Sequence, residues 1–200
     1  GSPSVGIALE RGAIDEAVAE IPALEGEGDL VVLCTPVGQF PGMLEKLRSK
    51  LRGEGGEGPL VTDVGSTKRQ VMAWARDLLW PARGRFVGSH PMAGSDKRGP
   101  EHARADLFER ATCFVCPAEG EGEEAAKKIE ELWQGVGMRT IRVDAATHDR
   151  WVAQVSHAPH AIAFALMNAA AREPACLAAA AGSFNDMTRV AGSDTEMWTD

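Results

Sequence analysis

The sequence has no excess of basic residues: 21 Lys and Arg stand against 29 Asp and Glu, which gives a formal net charge of −8. Binding to nucleic-acid phosphates needs a basic face, so we expect no nucleic-acid partner. A pocket for a small anion can still be locally basic, and Lys97, Arg98 and Arg189 are the candidates.

Long hydrophobic runs are also missing. No apolar stretch reaches the roughly 18 residues needed to span a bilayer, and no charged start followed by an apolar core indicates a secretory signal. We therefore expect no membrane partner and a cytoplasmic location. A content of 44% hydrophobic and 25% charged residues is typical of a globular chain.

Cysteine is scarce, at four residues. Cys34 and Cys176 are isolated, whereas Cys113 and Cys116 have CxxC spacing within a strand-like run. Residues three apart in a strand point to opposite faces, and no second pair or histidine cluster lies nearby. We predict buried structural thiols and no metal site; redox and zinc roles are the alternatives.

Apolar strand-like runs alternate with helical patterns as far as Asp144. This alternation is typical of βαβ units and predicts an α/β fold with a largely parallel sheet. We predict strands at 30–34, 60–64, 86–88, 111–116 and 139–143, and helices at 40–51, 66–79 and 122–133.

The pattern changes after Asp144. Residues 147–171 contain no glycine and predict one long helix, interrupted at Pro159 because an interior proline loosens the preceding turn. Short helices follow from Ala175. The alanine-rich segment has few large residues for a core of its own, which favours burial against another subunit. We predict two domains, 1–145 and 146–200.

Three loops follow strands of the predicted sheet: Thr35-Pro36, Gly65-Ser66 and Ser89-His90. Ligands of parallel sheets bind beyond the carboxyl ends of the strands, so we expect these loops to meet in one crevice. His90 is placed in a turn of small residues, 88–99, where a ligand can approach closely. A histidine titrates near neutrality and can accept a proton from an alcohol.

Six motifs together resemble the prephenate and arogenate dehydrogenase family of tyrosine biosynthesis. They are LCTPVG (33–38), TDVGSTK (62–68), GSHPMAGS (88–95), ADLFERA (105–111), VSHAPH (155–160) and DMTRVAGSD (186–194). The resemblance implies a Rossmann-like domain followed by an all-α dimerisation domain, and hence a homodimer. It also implies oxidative decarboxylation of prephenate to 4-hydroxyphenylpyruvate, with NAD or NADP as the hydride acceptor.

One departure from the family pattern concerns the dinucleotide. The family begins with a strand, a GxGxxG turn and a helix that hold the pyrophosphate, and no such unit precedes Leu30. We therefore expect a copy that is incomplete at both ends, lacks the first βα unit and binds dinucleotide weakly or not at all. The residue that selects between NAD and NADP is absent with that unit.

The resemblance implies roles for residues of the first domain. His90 is the base that takes the substrate hydroxyl proton; the alternative is a loop histidine that caps a backbone carbonyl. Ser66 orients His90 or contacts the substrate hydroxyl beside the nicotinamide, unless it is only a helix N-cap. The cofactor contacts are Thr35, Pro36, Val37, Asp63 and Ser66, although Asp63 is also suited to binding loop amides.

Substrate contacts are implied for the second domain. Arg189 binds a carboxylate through paired hydrogen bonds; a surface ion pair with Asp186 or Asp194 is the alternative. His160 contacts the substrate, supported by His157 and Ser156, whereas a zinc site would need a third ligand. Ser193 completes this set. In the first domain, Asp96 matches a position at the pocket mouth where many relatives carry glutamate.

Two other functions remain open at this point. Arogenate differs from prephenate by an amino group in place of the keto group, and no residue of the sequence decides between them. A non-catalytic remnant without a pyrophosphate site is the second alternative. A dehydrogenase of another hydroxy acid is disfavoured by the combination of His90, His160 and Arg189.

Overall fold

The computed structural model describes residues 3–22, 24, 30–51, 59–79, 85–94, 99–118 and 122–192. The chain divides into two compact units, Gly1–His148 and Asp149–Asp200, and each is described by itself. None of the described helices combines the length and the apolar composition required to cross a membrane.

The first unit is built on a five-stranded sheet. Its strands are β1 (Leu30–Leu33), β2 (Leu60–Asp63), β3 (Phe86–Pro91), β4 (Thr112–Cys116) and β5 (Arg139–Arg142), which are adjacent in that order. All neighbouring strands pair in parallel except β3 and β4, which pair antiparallel. The helices are α1 (Pro3–Glu10), α2 (Phe40–Arg48), α3 (Arg69–Leu78), α4 (Glu123–Gly135) and α5 (Ala145–Val152). The predicted α/β class with a mostly parallel sheet is confirmed.

Helices cover both faces of this sheet. Successive residues of β2 and β3 enter different hydrophobic clusters: Val61 and Phe86 pack in the cluster of α2 and α3, and Leu60 and Val87 in that of α4. Side chains alternate between the two faces of a strand, so each face has its own core. This burial on both sides applies to the central strands β2, β3 and β4, whereas β1 and β5 at the edges of the sheet are largely exposed.

The predicted end of β3 is wrong. The strand was expected to stop at Gly88, with His90 in a turn, but it extends to Pro91 and His90 lies opposite Phe114 of β4. The parallel partner β2 pairs with β3 as far as Val87, and antiparallel β4 continues the ladder from Gly88. His90 is therefore held in a strand and is 9% exposed.

The two CxxC cysteines are both buried in β4 and both are free thiols. Burial raises the pKa of Cys113 to about 12, so its thiol is protonated at neutral pH. The prediction of buried structural thiols at these two positions is confirmed, whereas Cys34 and Cys176 are exposed.

The second unit contains the rest of α5, α6 (Ala158–Ala170) and α7 (Gly182–Thr188), with 3-10 turns at Pro174–Ala179 and Arg189–Gly192. A π-helical turn, Ala153–His157, separates α5 from α6. The widened turn directly precedes Pro159, which has no N–H for the helical ladder and whose ring crowds the preceding turn. The predicted break in the long helix is thereby confirmed.

Candidate active site

A buried polar network joins the carboxyl ends of β2 and β3. The side chains of Lys68 and Asp63 are fully buried and form an ion pair. Lys68 Nζ donates a second hydrogen bond to the Ser89 carbonyl at 2.8 Å. Asp63 also accepts hydrogen bonds from the backbone N–H groups of Gly65, at 2.8 Å, and Ser89, at 3.1 Å. Asp63 thus binds loop amides, as its alternative interpretation anticipated.

Burial and ion pairing shift the pKa of Asp63 in opposite directions. Loss of solvent raises the pKa of the carboxyl group above its usual range, while the Lys68 ammonium and the two backbone amides lower it. Hydroxyl groups extend the network, because Ser89 Oγ donates to the Asp63 carbonyl and lies 2.7 Å from Thr62 Oγ1. The network fixes the backbone of Ser89, the residue immediately before His90.

The loops after β1 and β2 lie against each other, which requires a glycine. A Cβ atom on Gly65 would lie 2.9 Å from Asp63 Oδ2 and 3.0 Å from Val37 Cγ2. The backbone N–H of Val64 donates to the Leu33 carbonyl at 3.1 Å. In the same region Thr35 Oγ1 is buried and, among the described residues, has no hydrogen-bond partner.

The ring of His90 faces a second histidine. His90 Nδ1 lies 2.9 Å from His148 Nε2, and the ring centroids are 5.1 Å apart with an interplanar angle of 63°. His148 is fully buried, and its ring is nearly perpendicular to the ring of Phe114, with the ring centroids 5.1 Å apart. The alternative interpretation of His90 as a loop histidine is wrong, because His90 lies in β3 and its Nδ1 faces His148.

Ser66 is exposed on the loop between β2 and α3. Its alternative role as a helix N-cap is wrong, because α3 begins at Arg69 and its N-cap position is Lys68. Among the cofactor candidates that follow β1, Pro36 is exposed, whereas Thr35 and Val37 are half-buried. Asp96 lies outside the described residues.

The predicted residues of the second unit lie on adjacent elements. Ser156 and His157 belong to the π-helical turn, and His160 is in the first turn of α6. His160 Nδ1 donates to the Ser156 carbonyl at 2.9 Å, so the acceptor of the neutral His160 ring is Nε2. The 3-10 turn that begins at Arg189 packs against α6.

Arg189 is exposed. In the part of the chain that the structure describes, Arg189 forms no ion pair with Asp186; Asp194 and Ser193 lie outside that part. Within the second unit, the guanidinium is therefore accessible to a ligand from solvent.

Family models match almost the whole chain in two consecutive segments. Residues 4–142 match the nucleotide-binding domain of prephenate dehydrogenase, and residues 144–200 match its dimerization domain. The chain belongs to the prephenate dehydrogenase family. The resemblance inferred from the six motifs is confirmed, and so is the predicted order of a nucleotide-binding domain before a helical dimerisation domain.

Curated prephenate dehydrogenases are similar to this chain over nearly its whole length. Prephenate dehydrogenase of Bacillus subtilis (strain 168) is 36% identical over 198 residues, which cover 96% of this chain and 52% of the relative. The chain therefore spans about half the length of the curated relatives that it matches.

Two solved structures are similar over 100% of this chain. The prephenate dehydrogenase of A. aeolicus, in complex with hydroxyphenyl propionate and NAD+, has a TM-score of 0.86, 31% identity and 69% of its own length covered. Arogenate dehydrogenase of Synechocystis has a TM-score of 0.80, 30% identity and 70% of its length covered.

Sequence reasoning missed His148 in this family member. It is separated by 58 residues from His90, and no periodicity connects the two positions. A usable signal was present nevertheless: Asp144 is a good N-cap residue, which would start a helix and place His148 one turn inside it.

Proposed function

We propose that this chain carries the site of a prephenate dehydrogenase, which oxidises and decarboxylates prephenate to 4-hydroxyphenylpyruvate with NAD or NADP as hydride acceptor. The observation on which the proposal depends is the buried imidazole of His90 at the carboxyl end of β3, paired with His148. Membership of the family supports the same substrate class, as do the hydroxyphenyl propionate and NAD+ of the A. aeolicus complex.

The residues after β1 fit the nicotinamide end of a dinucleotide. The Thr35 hydroxyl is buried without a partner among the described residues, so it offers an unused polar group to a ligand. Thr35, Pro36 and Val37 would contact the ribose and nicotinamide, and Ser66 would contact them from the next loop. A bound nicotinamide supplies the acceptor for the hydride that leaves the hydroxyl-bearing carbon of the substrate.

His90 takes up the substrate hydroxyl proton during the reaction and returns it at the end. Neutral Nε2 accepts the substrate hydroxyl proton as the C–H bond breaks and the oxygen forms a carbonyl. The ring carboxylate then leaves as carbon dioxide, its bonding electrons complete the aromatic ring, and the phenol oxygen takes the proton back from His90. The ring of His90 is neutral again, and no other base is required.

Residues of the second unit suit the carboxylates of the substrate. Arg189 is exposed, and a guanidinium binds a carboxylate through two parallel hydrogen bonds. His160 has Nδ1 bonded to the Ser156 carbonyl, which sets its tautomer for a polar contact at Nε2. We assign Arg189 to a carboxylate, with His160, His157, Ser156, Ser193 and Asp96 as the other substrate contacts.

We further propose that the protein is a cytoplasmic homodimer. Residues 144–200 match a dimerization domain, and apolar side chains are exposed on the second unit, with Val155 at 69%, Met187 at 57% and Ile162 at 56%. Of the described residues after Asp149, Val152 and Ala163 are the buried ones, so this unit lacks a core large enough for its size. Sedimentation analysis tests this proposal, and a monomer would contradict it.

The second candidate is arogenate dehydrogenase, favoured by the similarity to the Synechocystis enzyme. The experiment follows nicotinamide reduction by the full-length protein with prephenate or arogenate as substrate and NAD+ or NADP+ as acceptor. We expect reduction with prephenate that is lost in His90→Asn. Turnover with arogenate alone would select the second candidate, and no turnover with any pair would favour the non-catalytic interpretation.

A further inference from the structure

His90 and His148 form a hydrogen bond between two imidazole rings inside the first unit. The Nδ1 of His90 and the Nε2 of His148 are 2.9 Å apart, which is a normal hydrogen-bond length. His148 has no exposed surface and His90 is 9% exposed. The interaction is therefore shielded from competing water.

The position of His148 is fixed by its helix. Asp144 Oδ1 accepts a hydrogen bond from the Thr147 backbone N–H at 2.8 Å and thereby caps α5. The His148 backbone N–H donates to the Asp144 carbonyl at 2.9 Å. Phe114, which pairs with His90 across the β3–β4 ladder, meets the His148 ring edge-on. The backbone contacts fix the place of His148 on α5, and Phe114 packs against the imidazole that faces His90.

The position of one proton decides whether His90 can act as a base. A neutral imidazole has one N–H donor and one acceptor nitrogen, so one of the two facing nitrogens carries the proton and the other does not. If His90 donates from Nδ1, its Nε2 is an acceptor and can serve as a base. If His148 donates instead, His90 Nε2 carries a hydrogen and cannot accept one.

We propose that His148 is a positioning residue, which keeps His90 protonated at Nδ1 and leaves Nε2 as the proton acceptor for the substrate hydroxyl. This inference rests on the proposed function, in which His90 is the base. After proton transfer, the cationic His90 ring still donates from Nδ1 to His148, and a hydrogen bond from a charged donor is stronger than one from a neutral donor. His148 thus stabilises the protonated state of His90 that forms during the reaction.

The geometry of the pair leaves room for one proton between the two facing nitrogens. Two imidazolium ions at this distance would repel each other in a buried site, so protonation of one ring keeps the other neutral. The other ionisable groups around β3 in the described chain include Asp63 of β2, Lys68 at the start of α3, and the buried thiols Cys113 and Cys116 of β4. Lys68 and Asp63 form an ion pair, and burial raises the pKa of Cys113 to about 12. The histidine pair is therefore the part of this cluster that we assign to proton transfer.

The kinetic test compares two variants of the full-length protein. His148→Phe keeps a ring of similar size but has no acceptor, and we expect kcat to fall by about tenfold or more with little change in KM. His148→Gln places an amide oxygen within reach of His90 Nδ1, and we expect it to recover most of the lost kcat. The exposed His102, replaced in His102→Phe, is the matched control and should keep the original rate.

A pH profile separates positioning from a general structural effect. Without an acceptor at Nδ1 the cationic ring of His90 is less stable, so the acidic limb of kcat/KM in His148→Phe should move to lower pH by about one unit. A variant that only loosens the fold would change the unfolding midpoint and leave the limb in place. An unchanged kcat, or a lowered kcat with an unmoved limb, would overturn the inference.

Ring-nitrogen NMR tests the tautomer without any turnover. We expect His90 of the unliganded protein to carry its proton on Nδ1 and to lose this preference in His148→Phe. A proton on Nε2 in the original protein would overturn the inference, even if both variants failed to fold. If neither substrate is turned over while the Nδ1 tautomer is observed, the proposed function fails and the geometric role of His148 stands.

Discussion

Lys68 and Asp63 form an ion pair without solvent exposure, and the same ammonium group donates to the backbone carbonyl that precedes His90. The pair therefore connects the side chain at the end of β2 to the backbone of β3 at Ser89. Removing one partner of a buried pair leaves an uncompensated charge, which costs more than the pair gains.

We expect Lys68→Met to lower the free energy of unfolding by about 3–5 kcal/mol, because Asp63 would remain buried without a cation. Adding Asp63→Asn to the same chain should restore part of the loss. Urea unfolding measures both values. Arg76→Ala is the control, because its pair with Asp77 is exposed and should contribute little. Equal effects of Lys68→Met and Arg76→Ala would contradict the importance of the buried network.

Gly65 provides a second test of the packing at the strand ends. We expect Gly65→Ala to destabilise the fold by about 1–3 kcal/mol, because its Cβ would lie 2.9 Å from Asp63 Oδ2 and 3.0 Å from Val37 Cγ2. Gly42 in α2 has nothing within 4 Å of the same atom, and Gly42→Ala should stabilise by up to about 1 kcal/mol. Thermal unfolding compares the two variants, and effects of the same sign would argue against a tight loop at Gly65.

Removal of the proposed base should affect turnover more than folding. We expect His90→Asn to lower kcat by about a hundredfold or more, since it removes general-base catalysis. Steady-state kinetics with prephenate measures the change, and circular dichroism checks that the fold is kept. His102→Asn, at an exposed position, serves as the control. A His90→Asn enzyme with nearly normal turnover would remove this residue from the mechanism.

Arg189 is expected to act on substrate affinity. Arg189→Ala should mainly raise KM for prephenate, because a carboxylate loses its guanidinium partner. Arg189→Lys should show an intermediate KM, since an ammonium group keeps the charge but lacks the two-pronged geometry. Arg172→Ala removes an exposed charge of the same unit and controls for overall charge. Unchanged KM values in both Arg189 variants would assign Arg189 to a structural role.

Local sequence patterns predicted most of the elements of the first unit. The sequence runs at β1 and β2 are rich in apolar residues, and the ends of both strands were predicted within a residue. The break before Pro159 was predicted because a proline disturbs its own helix, whatever the rest of the chain does. Such effects depend on neighbouring residues, so they can be predicted without knowing the fold.

Other features depend on strand pairing across the chain. The extension of β3 to Pro91 arises because β4 runs antiparallel beside it, and no pattern around His90 indicates that partner. Ser66 was expected at a helix start, but Lys68 is the N-cap residue and turns its side chain into the core to meet Asp63. An apparently exposed lysine of a loop motif thus became one of the largest buried side chains.

The amino-acid sequence alone is enough to predict the family, the α/β class and His90 as the candidate base. Motifs and the spacing of apolar residues involve positions that are close together in the sequence, so they can be recognised without the fold. The contact of His90 with His148 and the burial of Lys68 beside Asp63 arise only on folding. His90 and His148 are 58 residues apart, and Lys68 and Asp63, although only five apart, pair beside the Ser89 carbonyl of β3. In both places loss of water forces each polar group to find a partner, and only the packing of β3 against its neighbours excludes that water.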